Sequence, residues 1–130
     1  MAVKLNKVHH IAIICSDYVR SLSFYCDILG LELQREIYRV ERDSHKAELT
    51  LNNQYIIELF SFRSPPERLS YPEATGLRHL AFEVLDMDGT IRALEENEIT
   101  YEPIRMDENT GKKFIFIADP DGLPIEFYEK

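Results

Sequence analysis

The sequence predicts an α+β fold: two tandem βαβββ modules whose strands form a cupped mixed sheet. Three observations predict it. The stretch VHHIAII at 8–14 returns as LRHLAFE at 77–83, so that His10 falls on His79. The stretch YIIELF at 55–60 returns as LPIEFY at 123–128, so that Glu58 falls on Glu126, and the two spacings differ by a single residue. Two matches at nearly one spacing mark an internal duplication. Within each copy, one helical pattern is followed by strand-like stretches.

Taken in chain order, residues 8–14 form the first strand. Ser16 or Asp17 then caps a helix that carries Tyr18, Leu22, Tyr25, Cys26 and Leu29 at helical spacing, and Gly30 supplies its stop. Strand-like stretches follow at 31–40, 46–51 and 55–60, with Asn52 and Asn53 turning the chain between the last two. The run SFRSPPERLSYPEATG, with Pro65, Pro66 and Pro72, opposes regular structure and reads as a semi-rigid connector. In the second copy LRHLAFEV places Leu80, Phe82 and Val84 on one face of a strand and His79, Ala81 and Glu83 on the other. Asp86 or Asp88 caps a shorter helix with Met87, Ile91 and Leu94. Strands at 99–105, 113–118 and 123–129 complete it, with turns at Asn109 to Gly111 and Asp119 to Gly122. The expected limits are 1–61 for the first module, 62–75 for the connector and 76–130 for the second, within one domain spanning 1–130. Neither half would bury enough surface alone.

Composition narrows the function classes. A net charge of −8, from 23 acidic and 15 basic residues, repels phosphate and argues against a nucleic-acid partner. No apolar run is long enough to span a membrane, and MAVKLNKVHH is too polar for a signal sequence. Cys15 and Cys26 lie in apolar segments without metal-like spacing, and read as core thiols of a cytoplasmic protein.

Strand alternation groups His10 with Ala12, His79 with Ala81, Glu58 with Phe60, and Glu126 with Tyr128. A pseudo-twofold relation between the modules would bring both histidines and both glutamates to one wall. Buried carboxylates repel each other and resist desolvation, and a divalent cation relieves both costs. Two imidazoles with two carboxylates suit Zn²⁺, Ni²⁺, Co²⁺, Fe²⁺ or Mn²⁺, with positions left for water or substrate. A metal-free His/Glu hydrogen-bond network is the other reading of the same residues. Phe60 and Tyr128 would pack the walls and touch substrate. Arg105, Lys112 and Lys113 flank a loop, with Gly111 permitting movement, that either closes over an anionic substrate or displays solvated charge. His9 and Arg78 should point away from the neighbouring histidines, and His45 should be structural.

The H-I-A-I strand, Ser21, Phe24, Tyr25, Leu29, Gly30 and Leu31 at the helix end, G-L-R-H-L-A-F, and D-P-D-G-x-x-x-E from Asp119 to Glu126 resemble the vicinal oxygen chelate superfamily, in its glyoxalase I-like branch. The resemblance implies paired βαβββ modules around one divalent transition metal per site, held by His10, Glu58, His79 and Glu126, with no organic cofactor. It also implies a homodimer that completes the cup between subunits, and a small-molecule substrate. The chemistry implied is that of a metal-dependent isomerase or carbon–sulfur lyase, passing through a metal-bound enediolate, with Glu58 or Glu126 moving the proton. Substrates would be a small thiol adduct or an α-hydroxy or α-keto carbonyl compound. Where glutathione-dependent glyoxalase I carries an arginine and an asparagine to hold glutathione, this chain has Ile14 and Phe62, which argues against glutathione. The same superfamily offers a non-catalytic ligand-sequestering or antibiotic-resistance module, and an extradiol-type dioxygenase. The latter uses two histidines and one carboxylate, so Glu58 as a second carboxylate favours redox-neutral chemistry.

Overall fold

Alternating burial along β4 (Gln54–Ser61) shows how the first sheet is organised: Ile57 and Leu59 are buried, while Glu58 and Phe60 between them are half-buried. The computed structural model describes residues 1–130, which divide into two units, Met1–Pro65 and Pro66–Lys130. In the first unit β1 (Ile11–Cys15), β2 (Glu32–Arg39) and β3 (Ser44–Leu51) join β4 in the order β1-β4-β3-β2. β1 runs parallel to β4, and the other pairs are antiparallel. Ala47 and Leu49 of β3 lie opposite Leu59 and Ile57, and these four side chains join Phe24, Tyr25 and Leu31 in the core. Lys46, Glu48, Glu58 and Phe60 therefore share the opposite face.

Helix α1 (Tyr18–Ser23) is capped by Asp17, whose carboxylate accepts the Arg20 N–H at 3.1 Å. The expected α pattern does not run on to Leu29. It widens into a π-helical turn at Phe24–Ile28, which accompanies the burial of two successive aromatic rings, Phe24 and Tyr25. Gly30, at φ +79, then ends it. Asn52 and Asn53 both take left-handed conformations, as the tight turn between β3 and β4 requires. Neither cysteine is in a disulfide; Cys15 is buried, whereas Cys26 is partly exposed, with its thiol pushed up by burial and then by Asp27.

The second unit repeats this plan with β5 (Leu80–Val84), α2 (Met87–Glu96), β6 (Arg105–Met106), β7 (Lys113–Ala118) and β8 (Pro124–Glu129), in the order β5-β8-β7-β6. β5 is parallel to β8, as β1 is to β4. Asp86 caps α2 through the Gly89 N–H at 3.0 Å. Asp119 accepts the N–H groups of Asp121 and Leu123, each at 2.9 Å, so the D-P-D-G motif builds the turn into β8. The strand expected at 99–105 shrinks to the two residues of β6. Pro103 has no N–H to give a ladder, and Glu102 donates to the Phe116 carbonyl at 2.9 Å just before it. Both histidine strands also begin three residues later than expected, at Ile11 and Leu80, so that His10 and His79 stand just before them. No helix is long and apolar enough to cross a membrane.

Candidate active site

The parallel strand pairs place one histidine beside one glutamate in each unit. Ala12 lies opposite Glu58 and Ala81 opposite Glu126, so each small residue leaves space next to a carboxylate. His10 and His79 stand two residues before those alanines. His10 Nε2 is 3.7 Å from Glu58 Oε1, and His79 Nε2 is 3.3 Å from Glu126 Oε1. Both separations exceed an ordinary N–H···O hydrogen bond. The carboxylates are the more enclosed partners, with side chains 16% and 14% exposed. No three His, Cys, Asp or Glu side chains of the chain are gathered into a group that could hold a metal ion.

What surrounds each pair differs. In the first unit Tyr55 donates its hydroxyl to Glu58 Oε2 at 2.9 Å, and Lys46 Nζ is 3.5 Å from the same oxygen. The Tyr55 ring lies parallel to the His10 imidazole, with centroids 5.0 Å apart. Burial, and then the hydrogen bond to Glu58, push the Tyr55 phenol well above its usual range. Glu48, opposite Glu58, receives Arg35 through two bonds of 2.5 and 2.9 Å, which hold its carboxyl below the usual glutamate range.

In the second unit the places of Lys46 and Glu48 are taken by Phe114 and Phe116, opposite Tyr128 and Glu126. His79 meets Phe116 edge-on, with centroids 5.1 Å apart, and Phe114 stacks on Tyr128. The Arg105 guanidinium sits over both phenylalanine rings, 4.9 Å from the Phe114 centroid and 5.3 Å from that of Phe116. One unit thus embeds its pair in ionic contacts and the other in an aromatic wall.

The remaining sequence candidates sort by their contacts. Phe60 stacks on Phe62, on the same face as Glu58. Tyr128 donates to Asp107 Oδ2 at 2.9 Å and is hydrogen-bonded to the Thr110 hydroxyl, so it ties the 107–112 loop to β8. Lys112 Nζ donates to the Lys130 backbone oxygen at 2.8 Å, and exposed Lys113 alternates to the face away from Phe114. Of the three basic residues only Arg105 stands against the wall of a His–Glu pair. Arg78 pairs with Glu73 at 3.1 Å on the surface. His45 is stacked against Tyr18 and tilted against Tyr38. His9 departs from expectation: its Nδ1 is 2.8 Å from His10 Nδ1, and its ring also meets Tyr55. Alternation does not govern it, because β1 starts only at Ile11.

Sequence reasoning missed Lys46, Tyr55, Phe114 and Phe116. Lys46 and Phe114, and likewise Glu48 and Phe116, carry a readable signal, since the inner strand beside each glutamate must share its face.

Residues 7–127 match the model of the Glyoxalase/Bleomycin resistance protein/Dioxygenase superfamily. The uncharacterized protein YaeR of Escherichia coli (strain K12) is 60% identical, over 97% of this chain and 98% of its own length. A probable lactoylglutathione lyase of Synechocystis is 30% identical, over 92% of each. The crystal structure of a glyoxalase family protein from Enterococcus faecalis superposes with a TM-score of 0.88 at 46% identity, covering 95% of this chain and 97% of that one. More distant relatives carry the names of a metallothiol transferase, an epimerase and a catechol dioxygenase, so one scaffold serves several chemistries. With its duplicated mixed-sheet units and this match over nearly all its length, the chain belongs to the glyoxalase/bleomycin resistance protein/dioxygenase superfamily, and is closely related to its glyoxalase I-like members.

Proposed function

We propose that the protein is a divalent-metal-dependent isomerase or lyase of the glyoxalase I type, acting on a small thiol adduct or an α-hydroxy or α-keto carbonyl compound. The observation that carries this reading is the recurrence of one His–Glu pair, His10 with Glu58 and His79 with Glu126, at the same register of two parallel strand pairs. The donor set fits a borderline divalent cation: two imidazoles and two carboxylates, with neither pair closed by a short hydrogen bond of its own. On this reading His10, Glu58, His79 and Glu126 hold the metal, and two copies of the chain complete the site between them. When bound, the metal supplies Lewis-acid polarisation of a substrate oxygen, which makes the neighbouring C–H more acidic.

The chain's own groups then divide the work. Glu58 is anchored by Tyr55 and Lys46, which favours a stationary role. Glu126 faces only His79 among polar partners and lies opposite Phe116, so its carboxylate is free to turn, take a proton from one carbon at Oε2 and return it to the next. Phe116 lies opposite Glu126, and the stacked Phe114 and Tyr128 continue the same aromatic face. Glu83 shares the face by alternation, beside Tyr128, but it is exposed.

Elemental analysis of the purified, metal-reconstituted protein should find a divalent transition metal that is lost from His10→Ala and His79→Ala. Turnover on a panel of hemithioacetals and α-hydroxycarbonyls should fall by about 100-fold or more in Glu126→Gln, in line with loss of a general base, and by less in Glu58→Gln. A protein that takes up no metal would overturn the reading. Metal and ligand binding without turnover would select the ligand-sequestering role instead.

A further inference from the structure

Arg105 is a cation of the two pair-bearing faces that lacks a close carboxylate. Arg35 is engaged twice by Glu48, and Lys46 lies by Glu58. Arg105 has only Glu102, at 3.9 Å, with both side chains more than half exposed. Its guanidinium is nevertheless not loose. It is laid over Phe114 and Phe116, and Phe116 is also the ring that His79 touches edge-on. Register puts Arg105 opposite Phe114, and Phe116 opposite Glu126, so cation, aromatic floor and His–Glu pair share one face of a single sheet.

A stacked guanidinium presents its N–H edge outward, as a planar two-pronged donor. The natural complement of that edge is a planar anion, and a carboxylate matches it in both shape and charge. In a chain of net charge −8, an anion would be drawn to this face only by a local cation of this kind.

We propose that Arg105 is the carboxylate receptor of the His79–Glu126 site, so that the substrate is a small hydroxycarbonyl acid rather than a neutral aldehyde adduct. The proposal rests on the function proposed above and deepens it by naming the charge and shape of the substrate. Lys112 and Lys113 have no part in it: one is occupied by a backbone oxygen, and the other alternates to the opposite face.

The test uses matched ligands that share a hydroxymethyl ketone: hydroxypyruvate with a carboxylate, dihydroxyacetone with no charge, and dihydroxyacetone phosphate with a non-planar anion. Each is titrated into metal-stripped and zinc-loaded full-length protein, and the Arg105 Nε–Hε resonance and the dissociation constants are read. The wild type should bind hydroxypyruvate about tenfold or more tightly than dihydroxyacetone in both forms, with a shift of the Arg105 resonance, as a charge-assisted fork predicts. Arg105→Gln should bring that ratio to near one and leave the neutral ligand's affinity within about twofold, because only the charge-assisted term is removed. Arg105→Lys, which keeps charge without the fork, should retain part of the preference.

Equal affinities in the wild type, or a preference unchanged in Arg105→Gln, would show that the arginine merely packs on the rings and would overturn the proposal. Tighter binding of the phosphate ligand would overturn its carboxylate assignment. An Arg105-dependent preference in a protein that takes up no metal would keep this proposal and remove the metal reading; a metal-binding protein without the preference would do the reverse.

Discussion

Glu58 and Glu126 are the same residue at the same register of a repeated unit, yet their neighbours give them different freedom. Tyr55 and Lys46 fix Glu58 from one side while His10 stands on the other. Removing the Tyr55 hydroxyl in Tyr55→Phe takes away one hydrogen bond to a charged group, worth about 1.5–3 kcal/mol. On the metal reading proposed above, this variant should bind a divalent cation roughly tenfold more weakly, measured by competition with a chelator, with its aromatic stacking on His10 kept. An affinity equal to wild type would show that Glu58 needs no such anchor. Both glutamates were legible in the sequence, because duplication makes a residue its own control. Tyr55 was not: its equivalent in the second copy is Leu123, so no repeat flags it, and its role comes from a side chain reaching three residues along its own strand.

At the scale of elements, capping and turn chemistry decided the boundaries. Asp86 accepts the Gly89 N–H, and the Gly89 position is itself closely covered: a Cβ added there would meet the Asp86 carboxylate at 2.5 Å. Asp86→Ala should lower stability by about 1 kcal/mol, read as a shift in the urea midpoint, because an orphan helix N–H loses its partner. A midpoint unchanged in that variant would mean that tertiary packing of Met87 and Leu94 holds α2 without its cap. Helix starts were readable because Ser and Asp before an apolar periodic run have a local physical cause. The shortening of β6 was partly readable in Pro103, whereas the π-helical turn at Phe24–Ile28 was not, since it answers to how two adjacent rings are buried.

For the molecule as a whole, the two units keep one topology and differ in the chemistry of the exposed-side face. The first holds the Arg35–Glu48 pair, and that pair makes stability depend on pH. The Glu48 carboxyl is held below its ordinary value by Arg35, so the unfolded state binds its proton more readily than the native state does. The stability it contributes is therefore complete above the ordinary glutamate range and is lost as pH falls through the lower native value. Thermal melts of the wild type should lose midpoint temperature below about pH 4.5, and Glu48→Gln should flatten that slope while leaving the slope near neutral pH unchanged. Equal acid slopes in the two proteins would assign the effect to other carboxylates held low by their partners, such as Asp43 and Asp107.

The sequence by itself determined the duplicated strand and helix order, the caps, the turns at Asn52–Asn53 and Asp119–Gly122, and the family, because each follows from local residue chemistry or from the repeat. It also singled out His10, Glu58, His79 and Glu126. Only the tertiary structure decided which side chains stand beside them: His9 turned onto His10, Tyr55 and Lys46 on Glu58, Phe116 against His79, and Arg105 over the phenylalanines. The reason is physical. Side-chain neighbours across a sheet are set by strand register and rotamer, which join residues far apart in the chain and leave no periodic trace in the order of amino acids.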